Sequence, residues 1–247
     1  MRALLSLVLH QATTSRLSLG RGAGAQLRCV TSRMVAEFPH GQDLTEQFEL
    51  YAAPDRADAV LPAGAAPRML GQRKARGEVH RDGDWHRSVH VWLADNQGRL
   101  LLQQRSMEKD TNPGCWDVSC AGHITAGDDS LETAQRELEE EIGVKVELQA
   151  LREAWLCTLP SQDVGNTEKH GSYICREFQD VYLLRSSSLT LDELTLGTGE
   201  VSAVKWLPGE EVLVAWKTAD ATYVRRDPHY QQVIADALKN DRQHKLG

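Results

Sequence analysis

The stretch from Ser130 to Glu141 constrains this chain more than any other. Projected at about 100° per residue, Leu131, Leu138 and Ile142 fall in one narrow stripe with Ala134 on its shoulder, which makes the buried face of an amphipathic helix. Gly143 follows where a left-handed residue closes a helix. Glu137, Glu140 and Glu141 stand together on a second arc, while Glu132 and Glu139 point elsewhere. Carboxylates this close repel one another. Divalent cations relieve the repulsion, and an oxygen-only donor set suits Mg²⁺ or Mn²⁺. A solvated acidic face has the same spacing, so the pattern alone leaves metal binding and plain surface charge both open.

Around this helix the chain reads as strands. His86 to Ala94 and Arg99 to Gln104 flank Asp95-Asn96-Gln97-Gly98, a hairpin signal, and Asn112-Pro113-Gly114 is a second turn leading into a strand from Trp116 to Ala121. Further strands are expected at Val144 to Gln149, Ala154 to Leu159, Phe178 to Leu184 and Val201 to Trp206, with closing helices at Glu210 to Ala219 and His229 to Lys239. The polar run Pro160 to Ser172 reads as a loop, and Ala52 to Gly77 as irregular chain with at most one short strand. Strands interleaved with helices imply an α/β fold, a mixed sheet packed between helices.

Charge divides the chain unevenly. Residues 1–36 hold five arginines and no acid; the whole is formally −7, so the remainder carries −7 − 5 = −12. An acidic body argues against general nucleic-acid binding, and no apolar run approaches the roughly 18 to 20 residues of a membrane span. The arginine-rich, serine-rich, acid-free start fits a transit peptide for a mitochondrion or plastid, the alternative being a tail with no address, which implies the cytoplasm. The domain plan is therefore a transit segment at 1–35, an irregular extension at 36–78, a folded α/β domain at 79–239 and a tail at 240–247. Five cysteines without a C-x-x-C pair argue against a disulfide framework or a structural zinc site, and fit reduced thiols. Nothing in the sequence fixes the oligomeric state.

The residues Gly122 to Val144, GHITAGDDSLETAQRELEEEIGV, resemble the Nudix box, G-x5-E-x7-R-E-U-x-E-E-x-G-U, where U is bulky and aliphatic. Gly122, Arg136, Glu137, Leu138, Glu140, Glu141, Gly143 and Val144 sit at the required spacing; Asp128 stands where the box has Glu. The resemblance implies a Nudix fold and a Mg²⁺- or Mn²⁺-dependent cleavage of a small-molecule diphosphate. Glu137, Glu140 and Glu141 would bind metal, with Arg136 and Asp128 bracing them. Asp128 is one methylene shorter than Glu, which lengthens or loses its bracing contact. Glu140 is the first candidate for general base, with Glu168 and Glu177 as loop alternatives that also read as ordinary surface glutamates.

Upstream, HRSVHVWLADNQGRLLLQQRSMEKDTNPGCWDVSCAGH resembles the isopentenyl-diphosphate isomerases and the Nudix hydrolases close to them. In that branch the residues matching Arg105 and Lys109 grip a diphosphate, as their chemistry suits. An isomerase requires a cysteine immediately before the Gly-His pair, where this chain has Ala121. Cys120 is one residue away and faces the other side of a strand. With the full run of box glutamates also present, the resemblance points to hydrolysis, of an isoprenoid diphosphate or a nucleoside diphosphate derivative. His80, His86 and His90 match the branch's histidine spacing poorly and are given no role. Trp92 and Trp116 are expected in the core, and Glu200 in a structural role.

Overall fold

The protein is described here from a computed structural model covering residues 27–29, 43–167 and 171–244. The expected transit segment lies outside the described residues except for Leu27–Cys29. In chain order the elements are β1 (Leu27–Cys29), β2 (Gln47–Tyr51), β3 (Leu61–Pro62), β4 (Met69–Ala75), α1 (Arg76–Asp82) and β5 (Trp85–Asp95). Next come β6 (Arg99–Arg105), β7 (Trp116–Asp117), β8 (Cys120–His123), α2 (Ser130–Ile142), β9 (Val144–Val146) and α3 (Leu148–Ala154). The chain continues through β10 (Trp155–Thr167), β11 (Gly171–Ser186), β12 (Val201–Pro208), α4 (Gly209–Lys217) and α5 (Pro228–His244).

Apolar residues on both faces of β5 make it the central strand. It pairs in parallel with β11 along its whole length and antiparallel with β6 and β8. The main path of the sheet runs β12-β6-β5-β11-β10-β3. Val89, Val91 and Leu93 point one way, onto Leu131, Ala134, Leu138 and Ile142 of α2. Trp92 and Ala94 point the other way, toward Val212 and Trp216 of α4 and Tyr230 and Ile234 of α5. The expected mixed sheet between helices is thus present, with one core on each face. The stripe read from the sequence is the buried face of α2; Leu138 and Ile142 are fully buried.

The structure corrects several local expectations. The run Pro160 to Ser172 is not a loop: β10 and β11 continue as a two-stranded ribbon paired out to Thr167 and Gly171. Its outer side chains are polar and mostly not buried, so no alternating apolar pattern marked it as strand. The strand expected at Val144 to Gln149 ends at Val146, and Leu148–Ala154 is helical, as its helix-favouring Leu, Gln and Ala residues allow. The segment 36–78 is not irregular throughout. It contains β2 and β4, which pair with each other, and Phe48 and Leu50 bury against Val79 of α1.

Candidate functional site: carboxylates on one face of a strand, a histidine–cysteine cluster on the other

Helix α2 begins at Asp129, whose side chain accepts from the Leu131 N–H, and ends at Gly143 with φ 74°. This fixes the phase of the three glutamates. Glu141 is buried; its Oε2 accepts from Gln103 Nε2 at 2.9 Å and from the Ala121 N–H at 3.0 Å, which ties α2 to β6 and β8. Arg136 bridges the other two, with Nη1 3.0 Å from Glu137 and 2.9 Å from Glu140. Glu140 is the most exposed of the three, its side chain 33% accessible.

Glu137 lies against Gly122. A Cβ at that glycine would stand 2.2 Å from Glu137 Cδ, so β8 can pass beneath the carboxylate only where a residue has no side chain. Burial, and then the neighbouring Glu141 charge, push the Glu137 carboxyl up to about 8. Glu141 is raised as well, by burial. Arg136 is the one arginine between Glu137 and Glu140, and neighbouring carboxylate oxygens of this kind suit Mg²⁺ or Mn²⁺. Asp128 is exposed and acts on Arg136 electrostatically, consistent with its shortened side chain.

Arg105 and Lys109 lie near this face, each already engaged. Arg105 donates through Nε to the Thr111 carbonyl at 3.0 Å and sits 3.4 Å from Asp117. Lys109 pairs with Glu200, the structural acid expected from the sequence, and burial lowers its pKa. Trp92 is fully buried and donates to the Tyr230 hydroxyl at 2.9 Å. Trp116 is half-buried with the Lys205 ammonium 3.9 Å from its ring centre.

The opposite face of β8 holds what sequence reasoning missed. His80 of α1, His86 of β5, His123 of β8 and Cys175 of β11 bring one ligand atom each within 4.8 Å of one another. Desolvation lowers all three imidazoles, His80 to about 4 and His123 to about 3. The rings are therefore neutral near pH 7 and offer lone pairs. Glu177 belongs to this group, and is neither a loop nor a surface residue. It is half-buried on β11, accepts from Ser88 Oγ at 2.9 Å and lies 2.9 Å from His123 Nε2; despite desolvation the surrounding histidines hold it well below the usual carboxylate range. The residues come from four elements, and Cys175 is 95 positions from His80, so no local spacing could reveal them. His90 stays apart, 3.1 Å from the Tyr230 hydroxyl. Glu168 lies outside the described residues.

Cys120 and Ala121 fall as strand alternation required. Cys120 is buried in the core beneath α2, and Ala121 packs on the other side. The four described cysteines are free thiols.

The model of the NUDIX domain matches residues 84–227, more than half of the chain. Among curated relatives, Nudix hydrolase 3 of Arabidopsis thaliana is 48% identical over 177 residues, 71% of this chain but 22% of that protein. An uncharacterised Nudix hydrolase of Listeria monocytogenes is 30% identical over 58% of this chain and 76% of its own length. An isopentenyl-diphosphate Delta-isomerase of Serratia proteamaculans is 45% identical over 37% of this chain and 51% of that one. This chain belongs to the Nudix family. It spans about a fifth of the length of its Arabidopsis relative.

Proposed function

We propose that the protein is a divalent-metal-dependent hydrolase that cleaves the diphosphate bond of a small organic diphosphate. The observation that carries this reading is the placing of Glu137, Glu140 and Glu141 along one side of α2, with the Glu137 carboxyl pushed up to about 8 by burial and then by the neighbouring Glu141 charge. Glu137, Glu140 and Glu141 would hold Mg²⁺ or Mn²⁺, which would supply positive charge and Lewis acidity to the diphosphate. Gln103 and the Ala121 N–H fix Glu141, and Arg136 fixes the other two. Glu140, the most solvent-facing of the three, takes the proton from the attacking water. Arg105 and Lys109 hold the diphosphate oxygens, Lys109 exchanging Glu200 for substrate.

Isoprenoid diphosphates are favoured as substrates by the isomerase-like stretch from His86 to His123, and nucleoside diphosphate derivatives are the second class. Isomerisation is disfavoured because Ala121 occupies the place of the required thiol and Cys120 is sealed in the opposite core. The arginine-rich start supports delivery to a mitochondrion or plastid.

The test incubates the full chain with Mg²⁺ and a panel of isopentenyl, geranyl, nucleoside and ADP-ribose diphosphates, with products identified by mass. Hydrolysis that requires metal and is lost in Glu140→Gln supports the reading. An isomerised but intact diphosphate, or equal turnover by Glu140→Gln, overturns it.

A further inference from the structure

We infer that Asp117 is the positioning residue of the diphosphate grip, holding Arg105 in place, and that Arg226 of the closing segment in turn holds Asp117. The inference depends on the reading of Arg105 and Lys109 as the groups that take the substrate's diphosphate. Asp117 is buried at the end of β7, and its two carboxylate oxygens are divided between two partners. Oδ1 accepts from the Val118 N–H at 2.8 Å and from Arg226 Nη2. Oδ2 faces Arg105 Nη1 at 3.4 Å.

The donors of Arg105 show what that contact does. Its other side-chain partners among the described residues belong to Thr111, whose carbonyl accepts from Nε at 3.0 Å and whose hydroxyl accepts from Nη2 at 3.2 Å. A guanidinium carries five N–H groups in one fixed plane. With Nε, one hydrogen of Nη1 and one of Nη2 engaged, each terminal nitrogen keeps one N–H, the pair that grips an oxyanion side by side. Thr111 fixes one edge of the plane and Asp117 the remaining corner. Thr111 also lies on the loop between β6 and β7 that carries Lys109, so setting Arg105 sets both cations of the grip.

Arg226 reaches Asp117 from 109 positions away. The Trp116 N–H donates to the Thr222 carbonyl at 2.8 Å and the Val224 N–H to the Trp116 carbonyl at 2.9 Å, which lays the closing segment along β7. The Arg226 side chain is only 9% exposed, its guanidinium stands 5.2 Å from the centre of the Tyr230 ring, and its Nε is buried without a hydrogen-bond partner. A buried ion pair with an orphaned donor gains little over apolar packing, so stability alone is a weak reason for it. Its effect is on Asp117: burial pushes that carboxyl up, and Arg226 and then Arg105 pull it below its ordinary value. Asp117 is thereby kept ionised, with Oδ2 left for Arg105. The charge of Asp117 by itself repels a diphosphate. Positioning and plain repulsion therefore predict opposite signs when that charge is removed.

The full chain with Mg²⁺ is titrated calorimetrically with methylenediphosphonate, a diphosphate whose bridge cannot be hydrolysed, and each variant is melted alongside. We expect Arg105→Ala to weaken binding about 10-fold or more. Asp117→Asn should weaken it about 5-fold, and the double variant no further than Arg105→Ala alone. Leu151→Ala, a comparably destabilising change at a fully buried position in α3, should bind as wild type does. Tighter or unchanged binding by folded Asp117→Asn overturns the inference, as do additive losses in the double variant or a matching loss in Leu151→Ala. If Asp117→Asn does not fold, Arg226→Lys decides, since it keeps the charge and shifts the donor. It should weaken binding about 3-fold in wild type and not at all in Arg105→Ala, and unchanged binding in both refutes the relay. No binding by wild type, or binding that Arg105→Ala leaves unchanged, overturns instead the reading of the grip from which the inference starts.

Discussion

Replacing Gly122 by alanine tests the geometry of the carboxylate site more sharply than removing a glutamate does. Gly122 is not among the positive-φ glycines, so its backbone admits any residue and the demand is for space alone. The added Cβ would lie 2.2 Å from Glu137 Cδ, 2.3 Å from Oε1 and 2.7 Å from Cγ. Carbon atoms need about 3.5 Å, so the head of Glu137 must withdraw by roughly 1 Å or more. Because that head ends a flexible side chain, folding should lose only about 1–3 kcal/mol, the ordinary cost of overpacking. Catalysis should lose more: a misplacement of about 1 Å in a positioned group costs on the order of 100-fold. The assay is kcat/KM against Mg²⁺ concentration on whichever diphosphate the panel identifies, with a thermal melt alongside. A folded Gly122→Ala enzyme with wild-type kcat/KM and metal requirement would refute the placement of Glu137 against β8.

Three further perturbations follow from the same structure. Leu138→Ala removes a fully buried side chain between α2 and the sheet and should cost about 2–5 kcal/mol in urea unfolding, whereas a loss near zero would mean that the α2 core is not packed as described. Asp117→Asn leaves the buried guanidinium of Arg226 without its counter-charge and should cost about 3–5 kcal/mol at pH 7. Arg226 and Arg105 hold the Asp117 carboxyl below its ordinary value despite burial, so its stabilisation is whole above pH ~4 and is lost as pH falls through the depressed value. The stability gap between wild type and Asp117→Asn must therefore narrow in acid, and a gap that widens there would be inconsistent with a depressed Asp117. Lys109→Ala should raise KM about 10-fold with kcat little changed, a loss near 1.4 kcal/mol of binding; an unaltered KM would remove Lys109 from the substrate site.

The carboxylate site was legible because its information is local. Glu137, Glu140, Glu141, Arg136 and the cap at Gly143 share one helix, and helical spacing alone brings them together. The central hairpin β5–β6 was legible for the same reason, through apolar strands around Asp95 to Gly98. The ribbon β10–β11 was not, because its outer half buries little and so leaves no apolar period. The strands β2 and β4 were hidden by a short, discontinuous pairing among Ala, Pro and Gly. The histidine–cysteine cluster depends wholly on topology: parallel pairing of β5 with β11, and antiparallel pairing of β5 with β8, set His86, Cys175 and His123 side by side. Glu177 was read from its surroundings as a surface residue, although those same pairings set it, half-buried, among histidines.

The strand β8 is only four residues long, yet successive side chains serve opposite sides of the sheet: Gly122 makes room for Glu137, and His123 joins the histidines beyond. Insertion or deletion of one residue within 120–123 would exchange the two faces. It would drive an imidazole into the carboxylates and hand the histidine cluster a glycine. Neither group can drift along the chain without dragging the other out of place, so any descendant of this sequence that keeps one keeps the reading frame of both.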